Sequence, residues 1–186
     1  MTAKPEALLV IDIQNGFMEH GSERVVGPVA SLVRAWPPGH LYYLKYRNHP
    51  GSLYERHLDW QDCMTAGQAD LVPEIYVGNA PVFEHFGYAP PPELLAALKK
   101  YKSVGLCGVD TDACIMAAAF ALWEAEIRPF VLEHYSASSG GPHFHAAALD
   151  LIRRQFGTGA ILQGEIASGQ DPKSACCNGT HMRLSS

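Results

Sequence analysis

The 186-residue chain has no excess of basic side chains: 14 Lys and Arg stand against 19 Asp and Glu, a formal charge of −5. Without a basic face it has little with which to neutralise phosphates, which argues against nucleic acid or a membrane surface as a partner. It also lacks any apolar run approaching the ~18 residues of a membrane span. Its first ten residues, MTAKPEALLV, contain no basic patch followed by a separate apolar region and cleavage site. No secretory leader is read there, and a cytoplasmic protein is expected. Cysteine is sparse as well. The five cysteines are an odd number with no C-x-x-C pair, which speaks against a disulfide framework and against a cysteine zinc site.

What remains is 47% hydrophobic and 18% charged, with 17 Gly and 13 Pro, the profile of a globular chain with many turns and one core. One domain is expected over residues 1–165, followed by a polar tail, 166–186. The tail holds Cys176, Cys177 and an Asn178-Gly179-Thr180 sequon, to which no role is given. Vicinal cysteines strain to pair with each other.

Along the chain, short apolar runs alternate with helical patterns. ALLVIDI (7–13), LYYLKY (41–46), SVGLCGV (103–109) and RPFVLEHY (128–135) read as strands buried on both faces, and a last strand is expected at 160–162. Residues 75–77 and 82–83 are brief β-prone stretches. Residues 28–36, the segment after Pro90, Pro91 and Pro92, DACIMAAAFALWEAE (112–126) and HFHAAALDLIRRQF (143–156) read as helices, the last ended by Gly157. The segment 47–72 is polar and aromatic with scattered Gly and reads as a long loop near a site. Alternation of this kind predicts an α/β sandwich with a parallel sheet, whose active site lies outside the carboxyl ends of the strands.

That rule selects Asp12, Lys45 to Asn48, Glu84 and His85, Thr111 to Cys114, and His134 to Ser139. A carboxylate, a histidine and a thiol on one edge suit a nucleophilic hydrolase. Asp12 interrupts an apolar strand, where a carboxylate needs partners; the plainer reading is an Asx turn with Asn15 and Gly16. If Thr111 or Asp112 caps the next helix, Cys114 falls in its first turn, where free N–H groups favour a thiolate. Otherwise Cys114 is one more apolar residue of that helix. His85 beside Glu84 is compatible with a surface pair.

VIDIQNGF (10–17) and GVDTDACIMAAAF (108–120), taken together, resemble the isochorismatase-like cysteine hydrolase superfamily, in its amidohydrolase branch with nicotinamidases and N-carbamoylsarcosine amidase. The likeness runs from about Ala7 to Leu162. It implies a three-layer α/β sandwich with a six-stranded parallel sheet flanked by helices. It also implies a catalytic Asp, Lys and Cys, matched by Asp12 and Cys114. In the lysine-bearing segment, here VFEHFGYAP (82–90), no lysine occurs, and His85 takes the place, or Glu84 if the register slips by one. A lysine carries a fixed charge, whereas histidine titrates in the physiological range. The family pattern further implies a cis peptide between Val109 and Asp110 and an oxyanion hole from the N–H groups of Ala113 and Cys114.

The resemblance thus points to a cysteine-dependent hydrolase of a small amide or carbamoyl compound, working through a thioester. The alternative is a catalytically silent ligand-binding or scaffold member, since the lysine is replaced. Relatives that bind a divalent ion use an Asp and histidines after the second strand. Here KYRNHPGSLYERHLDW keeps His49 and His57 but has Arg47 at the Asp place. No metal and no cofactor are expected, and the nicotinamidase reading ranks low. Vinyl ether hydrolysis of the isochorismatase type, which does not need the cysteine, is disfavoured. Phe17, Trp60 and Tyr88 are read as substrate-binding, or else as ordinary core. The resemblance also implies a homo-oligomer, dimer or tetramer.

Overall fold

A computed structural model describes residues 4–19 and 21–166; most of the expected tail, with its cysteines and sequon, lies outside them. Six strands form one sheet: β1 (Ala7–Ile11), β2 (Leu41–Tyr46), β3 (Val82–His85), β4 (Ser103–Gly108), β5 (Arg128–Ser136) and β6 (Ile161–Leu162). Their order is β3-β2-β1-β4-β5-β6 and every pairing is parallel. The chain winds outward from β1 to β3 on one side and resumes at β4 on the other. β1 and β4 therefore flank the point where the winding reverses, which is where open α/β sheets form a crevice.

β1 is buried along its whole length, and strand alternation divides it between two cores. Ala7, Leu9 and Ile11 face a layer that includes Leu94 and Leu98 of α4 (Pro92–Leu98), Ile115 and Leu122 of α5 (Cys114–Glu124), and Leu149 and Ile152 of α6 (Pro142–Phe156). Leu8 and Val10 face Val29 and Val33 of α1 (Val26–Ala35), with Trp36 and Leu132. Burial on both faces explains the near-continuous apolar runs. The layers are helix, sheet, helix, as the resemblance implies.

Three local readings need correction. α1 starts two residues before Pro28, so the proline sits within its first turn, where its missing N–H costs nothing. Residues 73–75 form a 3₁₀ turn opened by Pro73 rather than a strand. The segment 47–72 holds two short helices, α2 (Leu53–Leu58) and α3 (Ala66–Ala69). Each begins with a side-chain cap: Ser52 accepts from the Glu55 N–H at 3.1 Å, and Thr65 accepts from the Gln68 N–H at 3.4 Å. The S-x-x-E and T-x-x-Q spacings match the capping-box pattern and were the available signal.

Among the described residues no helix is long and apolar enough to cross a membrane.

Candidate active site

Asp12 follows β1 directly and is fully buried, with a backbone φ of 52°. Its carboxylate does not cap the Asn15-Gly16 turn. It accepts from His85 Nε2–H at 2.9 Å to Oδ1 and 3.2 Å to Oδ2. His85, the last residue of β3, is also buried, and its ring packs edge-on against Tyr46 at 5.4 Å. His85 Nδ1 has no hydrogen-bond partner, so the Asp12 bond and the Tyr46 ring orient the imidazole. Glu84 points elsewhere: it is nearly half exposed and pairs with Lys45 at 3.3 Å. The residue facing Asp12 from the lysine-bearing segment is His85.

Cys114 is the first residue of α5 and is buried at its base. Ligand atoms of Asp12, His85 and Cys114 all lie within 4.8 Å of one another. Neither Thr111 nor Asp112 caps α5; the N-cap is Ala113, without a side-chain bond. Thr111 is spent differently. Its hydroxyl donates to the Ala137 carbonyl at 2.8 Å and therefore accepts from His145 Nδ1–H at 2.8 Å. That ties the start of α5 to the segment after β5. Gly108 precedes this turn with φ of 114°, and a Cβ there would collide with the Ile11 carbonyl. The glycine lets β4 pass close enough to β1 to bring Cys114 to Asp12. The Val109–Asp110 peptide is cis.

The expectation that the helix start favours a thiolate is reversed. Burial, followed by the Asp12 carboxylate beside it, pushes the Cys114 thiol well above the ordinary cysteine value, and the Asp110 N–H opposes this only in part. Desolvation and a neighbouring anion outweigh a helix terminus whose effect is confined to one turn. At rest Cys114 is thus a thiol with the Asp12 carboxylate beside it. Burial likewise holds Cys63 up, to about 12, and pushes Cys107 up, so neither is a competing thiolate.

Of the two N–H groups assigned to the oxyanion hole, that of Ala113 donates to the Asp110 carbonyl at 3.1 Å. The Cys114 N–H makes no hydrogen bond among the described residues and is free to receive an anion. A cavity of about 290 Å³ opens over Cys114. Phe17, Trp60 and Tyr88 line it, joined by Tyr46 and Tyr54, which the sequence reading missed. Gln14, also missed, holds the backbone of one of these residues, Tyr46, in place. Its amide donates to the Tyr46 carbonyl at 2.9 Å and the Ala69 carbonyl at 2.7 Å, and accepts from the Tyr46 N–H at 2.7 Å. Gly16 brings the next turn against Cys63, whose Sγ would lie 2.8 Å from an added Cβ, and so seats Phe17. Asp110, Asp112 and Ser139 form the polar part of the wall. Of the other strand-end candidates, Asn48 ties down the Trp60 segment through the Trp60 and Asp62 carbonyls at 3.2 and 3.1 Å. His134 lines a separate cavity beside α1.

Asp12, His85 and Cys114 are also the one group of three potential metal ligands among the described residues. The proton that His85 Nε2 shares with Asp12 occupies the atom a metal would need, so the trio suits proton transfer better than coordination. His49 and His57 line a neighbouring cavity, and His49 Nδ1 bonds the Pro50 carbonyl at 3.1 Å. With Arg47 in place of a carboxylate, these residues do not fit a divalent ion.

The sequence matches the family model described as the Isochorismatase domain over residues 6–161. No curated protein matches the chain. Among solved structures, a pyrazinamidase of Pyrococcus horikoshii in complex with zinc superposes with a TM-score of 0.74 at 17% identity, covering 87% of this chain and 100% of that one. An isochorismatase-like hydrolase from Alkaliphilus metalliredigens gives 0.71 at 18% identity, with 81% and 92% covered. An N-carbamoylsarcosine amidase from Thermoplasma acidophilum gives 0.68 at 21% identity, with 83% and 94% covered. At these identities the structural likeness speaks for the fold.

Proposed function

Since the chain belongs to the isochorismatase domain family, we propose that it is a cysteine amidohydrolase that cleaves the C–N bond of a small amide or carbamoyl compound. The observation that carries this reading is the meeting of Asp12, His85 and Cys114 within 4.8 Å, with Cys114 lining an aromatic cavity. In the proposed sequence Asp12 takes the Cys114 proton as the sulfur attacks the carbonyl carbon. The Cys114 N–H receives the oxyanion, and that of Ala113 joins it if its bond to the Asp110 carbonyl opens. The C–N bond breaks as Asp12 returns the proton to the departing amine, leaving a thioester. Water, deprotonated by the same carboxylate, then releases the acid and restores the thiol. His85 keeps the carboxylate aimed between sulfur and substrate.

The test is a panel of primary amides, N-carbamoyl compounds and lactams offered to the wild type and to Cys114→Ala. Turnover of at least one class should occur, should vanish in Cys114→Ala, and should leave an acyl adduct on Cys114 detectable by mass spectrometry after rapid quench. A panel bound but never cleaved would support the silent ligand-binding alternative instead.

A further inference from the structure

The cavity over Cys114 has an unusual balance of surfaces. Five aromatic rings make a connected wall: Phe17 to Trp60 at 5.2 Å, Trp60 to Tyr46 at 5.6 Å, Tyr46 to Tyr54 at 5.2 Å and Tyr54 to Tyr88 at 5.2 Å. Burial pushes the Tyr46 and Tyr54 phenols up, so these rings stay neutral and keep their electron-rich faces. Two carboxylates, Asp110 and Asp112, share the lining with them, and among the described residues no Lys, Arg or His lines the cavity. His85 is committed to Asp12, and Arg47 lies toward Cys63.

Asp110 is held rigidly. Its Oδ1 accepts from the Ser139 N–H at 2.6 Å and its Oδ2 from the Ser139 hydroxyl at 2.7 Å, which leaves further lone pairs on each oxygen for a ligand. A mostly buried carboxylate with no positive partner is a costly arrangement that a cationic ligand would relieve. An anionic amide would meet two like charges, and a neutral one would leave Asp110 uncompensated. A cation against the rings gains cation–π attraction as well.

We propose that the substrate is a small amide bearing a positive charge, an alkylammonium group seated among Trp60, Tyr46, Tyr54 and Tyr88 and facing Asp110. Cleavage of such a substrate rests on the amidohydrolase reading; its binding does not. Asp112, at the exposed side of the cavity, draws the cation in, and the rings with Asp110 hold it while the amide lies over Cys114.

A matched pair of probes isolates the charge: 2-(trimethylammonio)acetamide and its neutral isostere 3,3-dimethylbutanamide differ by one atom, N⁺ for C. Calorimetric titration of the Cys114→Ala protein, in which no turnover can occur, should show the cation binding at least ~10-fold more tightly, within the range expected for a desolvated cation–π site. Adding Asp110→Asn, which keeps the size and a partner for Ser139, should cut that ratio severalfold. Adding Tyr88→Leu, a half-exposed ring, should also lower it. Equal or tighter binding of the isostere, binding of neither probe, or a ratio untouched by both substitutions would overturn the proposal. Wild-type turnover separates the two readings. Cys114-dependent cleavage of neutral amides without cation preference removes the substrate class and leaves the amidohydrolase. Selective cation binding without cleavage of any amide does the reverse.

Discussion

His85 is the residue that faces Asp12 from the end of β3, and the consequence falls on Asp12. The carboxylate is fully buried and its bond to His85 Nε2–H, at 2.9 Å, is the side-chain partner that makes this tolerable. His85→Ala removes the donor and leaves Asp12 free to turn from the sulfur. The expected result is a fall in kcat on the order of 10²-fold, the scale of a misdirected general base, with a lowered denaturation midpoint. His85→Lys supplies a donor to the carboxylate and should keep most of the activity. Full activity in His85→Ala, measured on the best amide of the panel, would show that the imidazole does not orient the base. The residues of this site differ in how far the sequence revealed them. Asp12 stood out because it breaks an apolar strand, and Cys114 because it opens a helix after a strand. Asp110 and Gln14 gave no such signal. Their roles depend on Ser139 and on Tyr46, which lie far along the chain and come close only when the sheet forms.

At the scale of elements, β1, β2, β4 and β5 were legible because burial along most of their length leaves an apolar run, whereas the edge strand β3, exposed at Val82 and Glu84, gave only a brief β-prone stretch. α2 and α3 were not legible, because at six and four residues neither is long enough to repeat the 3.6-residue period. Their caps are what define them. α2 has a part in the site, since Tyr54 and Leu58 line the cavity while its hold on the rest of the molecule is slight. Ser52→Ala deletes the bond from the Glu55 N–H, a loss of about 1 kcal/mol for such a cap. In an element this short that is enough to loosen the wall. KM should rise about 3- to 10-fold with kcat nearly unchanged, and hydrogen exchange should quicken over 53–58 and not in the sheet. Unchanged KM with quickened exchange would mean that α2 does not shape the substrate pocket.

For the whole molecule, the two cores and the β3-β2-β1-β4-β5-β6 order place three carboxylates, Asp12, Asp110 and Asp112, around one strand-end crevice, and stability must bear that concentration of charge. Asp12 has His85. Asp110 has neutral donors only, and burial, followed in smaller part by the Asp112 and Asp12 charges, pushes its carboxyl up from 3.8 to about 6 despite the Ser139 bonds. The folded state therefore binds this proton more tightly than the unfolded chain does. As pH rises from about 4 to about 6 the unfolded chain ionises first and is favoured, so the contribution of Asp110 to stability is full below pH 4 and is lost by about pH 6. Two pH units correspond to about 3 kcal/mol, and partial relaxation around the charge makes ~2 kcal/mol a fair expectation. Asp110→Asn cannot ionise and has no such slope. Urea denaturation of both proteins from pH 4 to pH 8 should show the variant gaining ~2 kcal/mol on the wild type across this window, with the difference level above pH 7. A difference that stays constant from pH 4 to pH 8 would mean that Asp110 is as well solvated folded as unfolded, which its place in the cavity wall does not allow.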